Sequence, residues 1–195
     1  MIPKFFSLGV ETLLKIICEK IIIKDIQIIN KINNLNGIID QLNIKAESII
    51  FKKINISNIN IQIRGPVLRL IFDNKKFLIE NCDALIHLRL TSENINKTLF
   101  NKKWISLKTS IESFILMKFQ SIEINKKSLY FVPLEGLPNI DTDYTLQYDE
   151  TSILLVNNIN KEKLSILNDK NINVKNLIFF ENYIDIELSS KIIIN

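Results

Sequence analysis

Histidine occurs once in the 195 residues, at His87, and cysteine only twice, at Cys18 and Cys82. Any mechanism that needs two imidazoles is excluded, and a metal site built from several His and Cys side chains has too few ligands. The two thiols fit a disulfide or separate sulfhydryls equally, because neither count nor spacing decides. Glycine is scarce and scattered, at Gly9, Gly37, Gly65 and Gly136, so no clustered loop cradles a phosphate. Four prolines and two cysteines exclude collagen-like and disulfide-scaffold classes. No nucleophile elbow, kinase signature or nucleotide fingerprint occurs. No window approaches the ~20 uncharged apolar residues of a membrane-spanning helix. Pure apolar runs are short, as in Ile21-Ile22-Ile23. These absences lead to the expectation of a protein that is not an enzyme, with no catalytic residue, cofactor or metal.

Isoleucine is abundant, with 40 residues, and so is asparagine, with 24, whereas alanine appears only as Ala46 and Ala84. Lysine outnumbers arginine 22 to 3. Ile, Asn and Lys share A- and T-rich codons, so part of this bias reflects genome composition. Isoleucine is β-branched and stiff at χ1, which suits long strands. Apolar residues at 47% and charged residues at 24% are ordinary globular values, and the length fits a single domain over 1–195. Residues 1–100 carry 14 basic and 9 acidic side chains, against 11 and 12 in the remainder. That mild asymmetry fits a solvated surface or a front half that favours anionic lipid headgroups or nucleic acid. With arginine scarce and the eleven phenylalanines dispersed, nucleic acid is not an expected partner.

Along the chain, Phe6, Val10, Leu13, Leu14 and Ile17 share one helical face over 4–18. Such a helix either packs on its own sheet or lies in a membrane interface. Lys24–Asn30 alternates as a strand, and Lys31–Gly37 is an Asn-rich turn. From Gly37 alternation places Leu42, Ile44 and Ala46 on one face, then changes phase near Ile49-Ile50-Phe51. In the next stretch Ile54 and Ile56 give way to Ile59, Ile61 and Ile63, with Ser57-Asn58 as the natural bulge or turn. Gly65-Pro66 punctuates, and Val67–Phe72 resumes a strand. Over Phe77–Leu90, Ala84, Ile86, Leu88 and Leu90 face one way, and Asp83, Leu85, His87 and Arg89 the other. At Leu90 the period changes, with Thr91 or Ser92 able to cap a helix and Glu93 in its first turn. A further helix carries Trp104, Leu107, Ile111, Phe114, Ile115 and Lys118 on one face. The rest reads as strands: 120–125, 128–133, 144–148, 152–156, 163–167, 171–180 and 183–194. Asp141 and Asp143 read as turn residues. Helices segregated from consecutive strands give an α+β fold.

One pattern is more specific. Gly37-Ile38-Ile39, Leu42–Ala46, Ile50-Phe51, Ile54–Ile59, Leu68-Arg69-Leu70 and Leu90–Leu99 together resemble the LmeA-like phospholipid-binding family of actinobacteria and cyanobacteria. The similarity is strongest over residues 10–133, with 134–195 as additional strands of the same domain. The segment Leu90-Thr91-Ser92-Glu93-Asn94-Ile95-Asn96 carries most of it. The family's Gly-Lys-Pro-Leu-Arg-Leu run is here Gly65-Pro66-Val67-Leu68-Arg69-Leu70.

The resemblance implies phospholipid binding and a half-TULIP-like architecture, in which a long curved antiparallel sheet wraps helices and leaves an apolar groove. On that expectation Leu42, Ile44, Ala46, Ile86, Leu88, Leu90, Ile111 and Phe114 line the groove, and Arg64, Arg69, Lys75 and Lys76 meet the headgroup. The partner is then phospholipid or a membrane surface. With no clear signal peptide or membrane span, a cytoplasmic protein, peripheral at the inner or thylakoid membrane of a bacterium, is expected. The alternative is a protein–protein interaction module with a solid core and no groove, its partner unknown, using a sheet edge or the first helix.

Overall fold

A computed structural model describes residues 2–29, 39–71, 76–80, 82–138 and 143–192. Helix α1 (Ile2–Ile17) leads into β1 (Lys20–Ile29), β2 (Ile39–Phe51), β3 (Ile54–Ile71), β4 (Lys76–Glu80) and β5 (Cys82–Thr91). Helix α2 (Ser92–Leu99), one 3-10 turn (Lys102–Trp104) and α3 (Ile105–Ile115) follow. The remaining strands are β6 (Phe119–Ile124), β7 (Leu129–Pro133), β8 (Tyr144–Tyr148), β9 (Ser152–Asn157), β10 (Lys163–Asn168), β11 (Ile172–Phe179) and β12 (Tyr183–Ile192). The α+β class holds.

The strands divide into two antiparallel sheets. The long sheet runs β1-β2-β3-β5-β12-β11, with β4 paired to the far part of β3, and β6 to β10 form a five-stranded meander. The second half of the chain therefore does not simply extend one sheet. Only β11 and β12 return to the long sheet, on the open side of β5.

Register turns the sequence alternation into faces. Leu42, Ile44 and Ala46 lie opposite Ile63, Ile61 and Ile59, which lie opposite Ala84, Ile86 and Leu88. Ile186 and Leu188 extend these rows into β12. One face is thus aliphatic across the long sheet. Intervening positions place Lys45, Asn60, His87 and Glu187 in a single cross-strand row on the opposite face.

Three expectations about these strands change. Gly65-Pro66 does not end a strand: β3 continues to Ile71, and the pairing with β2 shifts between Ile39 and Gln41 instead. Proline lacks a ladder donor, so an irregularity at that point accommodates it. Ser57-Asn58 is neither a turn nor a register shift. Pairing stays in step from Glu47–Asn58 to Ile49–Ile56, while Ser48 on β2 adopts φ 52°. Both strands change face together there, so neither loses its partner. The stretch 77–90 is divided into β4 and β5, which pair with β3 in the same register. The turn expected at 31–37 and Asp141 lie outside the described residues.

Helix α2 clamps the two sheets. Thr91 caps it in a capping box with Asn94: the Asn94 amide N–H donates to Thr91 Oγ1 at 3.3 Å, and the Thr91 N–H donates to Asn94 Oδ1 at 3.1 Å. Asn96 imitates a neighbouring strand for β6, donating to the Ile122 carbonyl at 2.9 Å and accepting from its N–H at 2.7 Å. Ser92 Oγ accepts from the Ile124 N–H at 2.9 Å. On its other side, Thr98 Oγ1 accepts from the Asn55 N–H of β3 at 2.9 Å.

The main core lies between the meander, α2, α3 and the β5-β12-β11 part of the long sheet. Phe119, Ile122, Tyr144, Leu155 and Ile184 are its most buried members. A second cluster sits under α1, where Val10 and Leu14 cover Leu42, Ile44, Ile63, Cys82 and Ala84. Helix α3 ends at Ile115, before Lys118, with Leu116 at φ 55° and 85% exposed. Neither backbone nor burial favours leucine there, so Leu116→Gly is expected to raise stability by about 1 kcal/mol, measured by thermal denaturation.

Candidate functional site

The eight aliphatic and aromatic residues expected to line a groove separate in the structure. Leu42, Ile44 and Ala46 are buried, the first two beneath α1 and Ala46 against Ile49 and Ile56. Ile86 and Leu88 bridge neighbouring clusters, and Phe114 packs 6.0 Å from the Tyr144 ring. Of the eight, Ala46 and Leu88 border a space on the far side of the sheet, whereas Leu90 and Ile111 border a different one beneath α2 and α3.

That space is a cavity of about 170 Å³ between α2, α3, the meander and β12. Ile95, Leu107, Phe131, Leu146, Ile153 and Ile184 are among its walls. Its two polar side chains are hydrogen-bonded: Thr98 Oγ1 donates to the Asn94 carbonyl at 2.8 Å and accepts from the Asn55 backbone N–H, and the Asn55 side-chain amide donates to the Lys53 carbonyl at 3.4 Å. An apolar cavity of about 150 Å³ stays dry and accepts a benzene-sized guest. By that measure the space takes a run of roughly six carbons, far less than a diacyl lipid.

A larger hollow of about 550 Å³ lies on the opposite face of the long sheet, and all six strands of its main path contribute. The long sheet is therefore curled towards its polar side. Ala46, Ile59, Leu88 and Ile186 belong to the alternate face, so they floor the hollow with main chain. Several of its charges are paired. Arg89 donates to both carboxylate oxygens of Asp185 at 2.8 Å, and its guanidinium lies 3.8 Å above the Tyr183 ring. Donating to the Asp185 carboxylate raises the Arg89 pKa above its ordinary value. Lys24 meets Glu47 at 2.5 Å, and His87 Nδ1 lies 3.6 Å from Glu187. His87 and Arg89 share this hollow, whereas Asp83 stands farther along β5, opposite Arg64 and Lys191. No group of three His, Cys, Asp or Glu residues able to hold a metal occurs among the described residues.

Cys18 and Cys82 are both thiols, and burial pushes both pKa values up, with Asp83 adding to the effect at Cys82. Among the expected headgroup residues, Arg64 is exposed on β3. Arg69 and Lys76 occupy strand positions on β3 and β4, their side chains lying outside the described residues, as Lys75 does entirely. The sequence reading passed over the Lys52-Lys53 and Lys102-Lys103 doublets. Their signal was placement at turns, hidden by general lysine abundance.

Among the described residues no helix is long and apolar enough to cross a membrane. Comparison of the chain with family models, curated proteins and solved structures finds no match.

Proposed function

We propose that the protein is a non-catalytic lipid-handling protein that holds the terminal part of one acyl chain in the cavity between α2, α3 and the meander. The observation that carries this reading is the cavity itself, walled by aliphatic and aromatic side chains and free of unpaired polar side chains. Each methylene transferred from water into such a space contributes about 0.8 kcal/mol, so six carbons supply roughly 5 kcal/mol before ordering costs. That suffices for reversible binding of a chain end. The resemblance to LmeA-like proteins points to the same ligand class, but the site lies under α2 and α3, away from the Leu42–Ala46 wall.

Protein purified without detergent is expected to release lipid or fatty acid on solvent extraction, detected by mass spectrometry. Leu146→Trp, which fills the cavity, is expected to reduce that yield at least ten-fold while the fold persists by circular dichroism. A lipid-free wild type that takes up neither octanoate nor longer fatty acids would sink the reading.

The hollow on the outer face favours a second reading, a binding module for a polar partner. Arg89 and Asp185 already satisfy one another, and the exposed Asn58 and Asn60 add neutral donors and acceptors, which suits a hydrogen-bonding partner better than an ion. Crosslinking through His87 or Lys45 to one recurrent protein, abolished by Arg89→Ala, would support it.

A further inference from the structure

The cavity wall continues into a basic end of the molecule. Ile54, at the wall, directly follows the β2–β3 turn, Lys52-Lys53, and Leu107 follows the 3-10 turn Lys102–Trp104. The two turns touch: the Trp104 indole N–H donates to the Lys52 carbonyl at 3.2 Å. Glu19, between α1 and β1, joins them from the other side, accepting from the Lys53 N–H at 3.0 Å and from Lys53 Nζ. Lys53, with help from Lys103, holds its carboxyl below the usual carboxylate range. Lys20, Lys52, Lys53, Lys102 and Lys103 are all exposed. The neighbouring acids Glu47 and Glu93 are engaged by Lys24 and Lys97.

Apolar side chains stand exposed beside these charges. Ile16 is 78% and Ile17 49% exposed at the end of α1, and Ile105 is 51% exposed after Trp104. The turn is also conformationally costly. Lys52 and Lys53 have φ 49° and 68°, the paired left-handed geometry of a two-residue hairpin in which Asn-Gly is favoured. In a chain with 24 asparagines, lysines occupy both positions.

We propose that this lysine collar, with Ile16, Ile17 and Trp104, is the face by which the protein docks on an anionic lipid bilayer. The proposal deepens the acyl-chain reading, for it sets the cavity wall against the source of the chain. Basic side chains meet acidic headgroups, the isoleucines enter the acyl boundary, and the indole sits at headgroup depth. Lysine rather than arginine suffices, because the contact is with a diffuse negative surface.

Co-sedimentation of the full chain with phosphatidylcholine vesicles, with and without phosphatidylglycerol, tests this. Binding is expected only to the anionic vesicles, weakening as salt rises. Lys52→Asn with Lys53→Gly is expected to weaken it about thirty-fold, or about 2 kcal/mol at roughly 1 kcal/mol per basic residue. The same variant is expected to melt at higher temperature, so unfolding cannot explain the loss. Glu19→Gln removes the collar's acid and is expected to tighten binding about five-fold. Equal binding to both vesicle types, undiminished binding by the double variant, or binding to a single-stranded oligonucleotide in place of vesicles would overturn the proposal. Leu146→Trp separates the two readings: vesicle binding that survives it supports docking, whatever happens to fatty-acid uptake.

Discussion

Phe119→Ala is expected to cost about 3–5 kcal/mol, read as a lower urea midpoint at unchanged slope. Phe119 is fully buried at the start of β6. It meets Phe131 edge to face at 5.2 Å and Phe100 at 6.0 Å. Phe131 meets Tyr144 at 5.3 Å, and Tyr144 meets Phe114 at 6.0 Å. This file of rings links the loop after α2, three strands of the meander and α3. Removing one ring leaves a void and also removes the edge-to-face contacts of its neighbours. Phe180, 38% exposed and stacked on Tyr183, is the control, and its replacement by alanine is expected to cost less than about 1 kcal/mol. Equal losses at the two positions would deny the ring file its structural role.

Glu112→Ala is expected to cost about 3 kcal/mol, while Lys108→Met combined with Glu112→Leu costs little or stabilises. The two side chains are only 12% and 16% exposed and pair across one turn of α3. Lys108 Nζ also lies 4.8 Å and 4.9 Å from the ring centres of Phe100 and Phe119. Removing the carboxylate leaves an ammonium half-enclosed by rings, without its counter-charge. Replacing both charges removes the desolvation cost and adds apolar contact. A double variant no more stable than Glu112→Ala would show that the ammonium–ring contacts, not the ion pair, hold this corner. Chemical denaturation of the wild type, Lys108→Met, Glu112→Leu and their combination, beside Glu112→Ala, separates these cases.

Much of the fold was legible because alternation and helical spacing are local. The faces of Leu42, Ile44 and Ala46, and of Ala84 to Leu90, follow from period two alone. Thr91 was readable as a cap, although the box is closed by Asn94 where Glu or Gln is usual. What stayed hidden is non-local. Nothing in Tyr144–Tyr148 or Tyr183–Ile192 states which sheet each joins, since both alternate in the same way. The aliphatic wall could not reveal that α1 covers Leu42 and Ile44 while α2 and α3 leave space beside Leu90 and Ile111. A proline after glycine normally stops a strand, and β3 continues only because its pairing slips. The lysine collar was obscured for a different reason: compositional drift makes paired lysines ordinary, and only their meeting in space distinguishes these two doublets.

The return of β12 to the side of β5 bears on synthesis. Leu88 and Ile186 become partners although they are about a hundred residues apart. Until the β11–β12 hairpin leaves the ribosome, β5 presents a row of unmatched amides and carbonyls along a strand rich in leucine and isoleucine. Such an edge invites pairing with any other nascent chain. The closing step is also slow for its size, since the separation must be overcome before a contact rewards it. The β5 edge therefore stays open to mispairing until β12 has docked beside it.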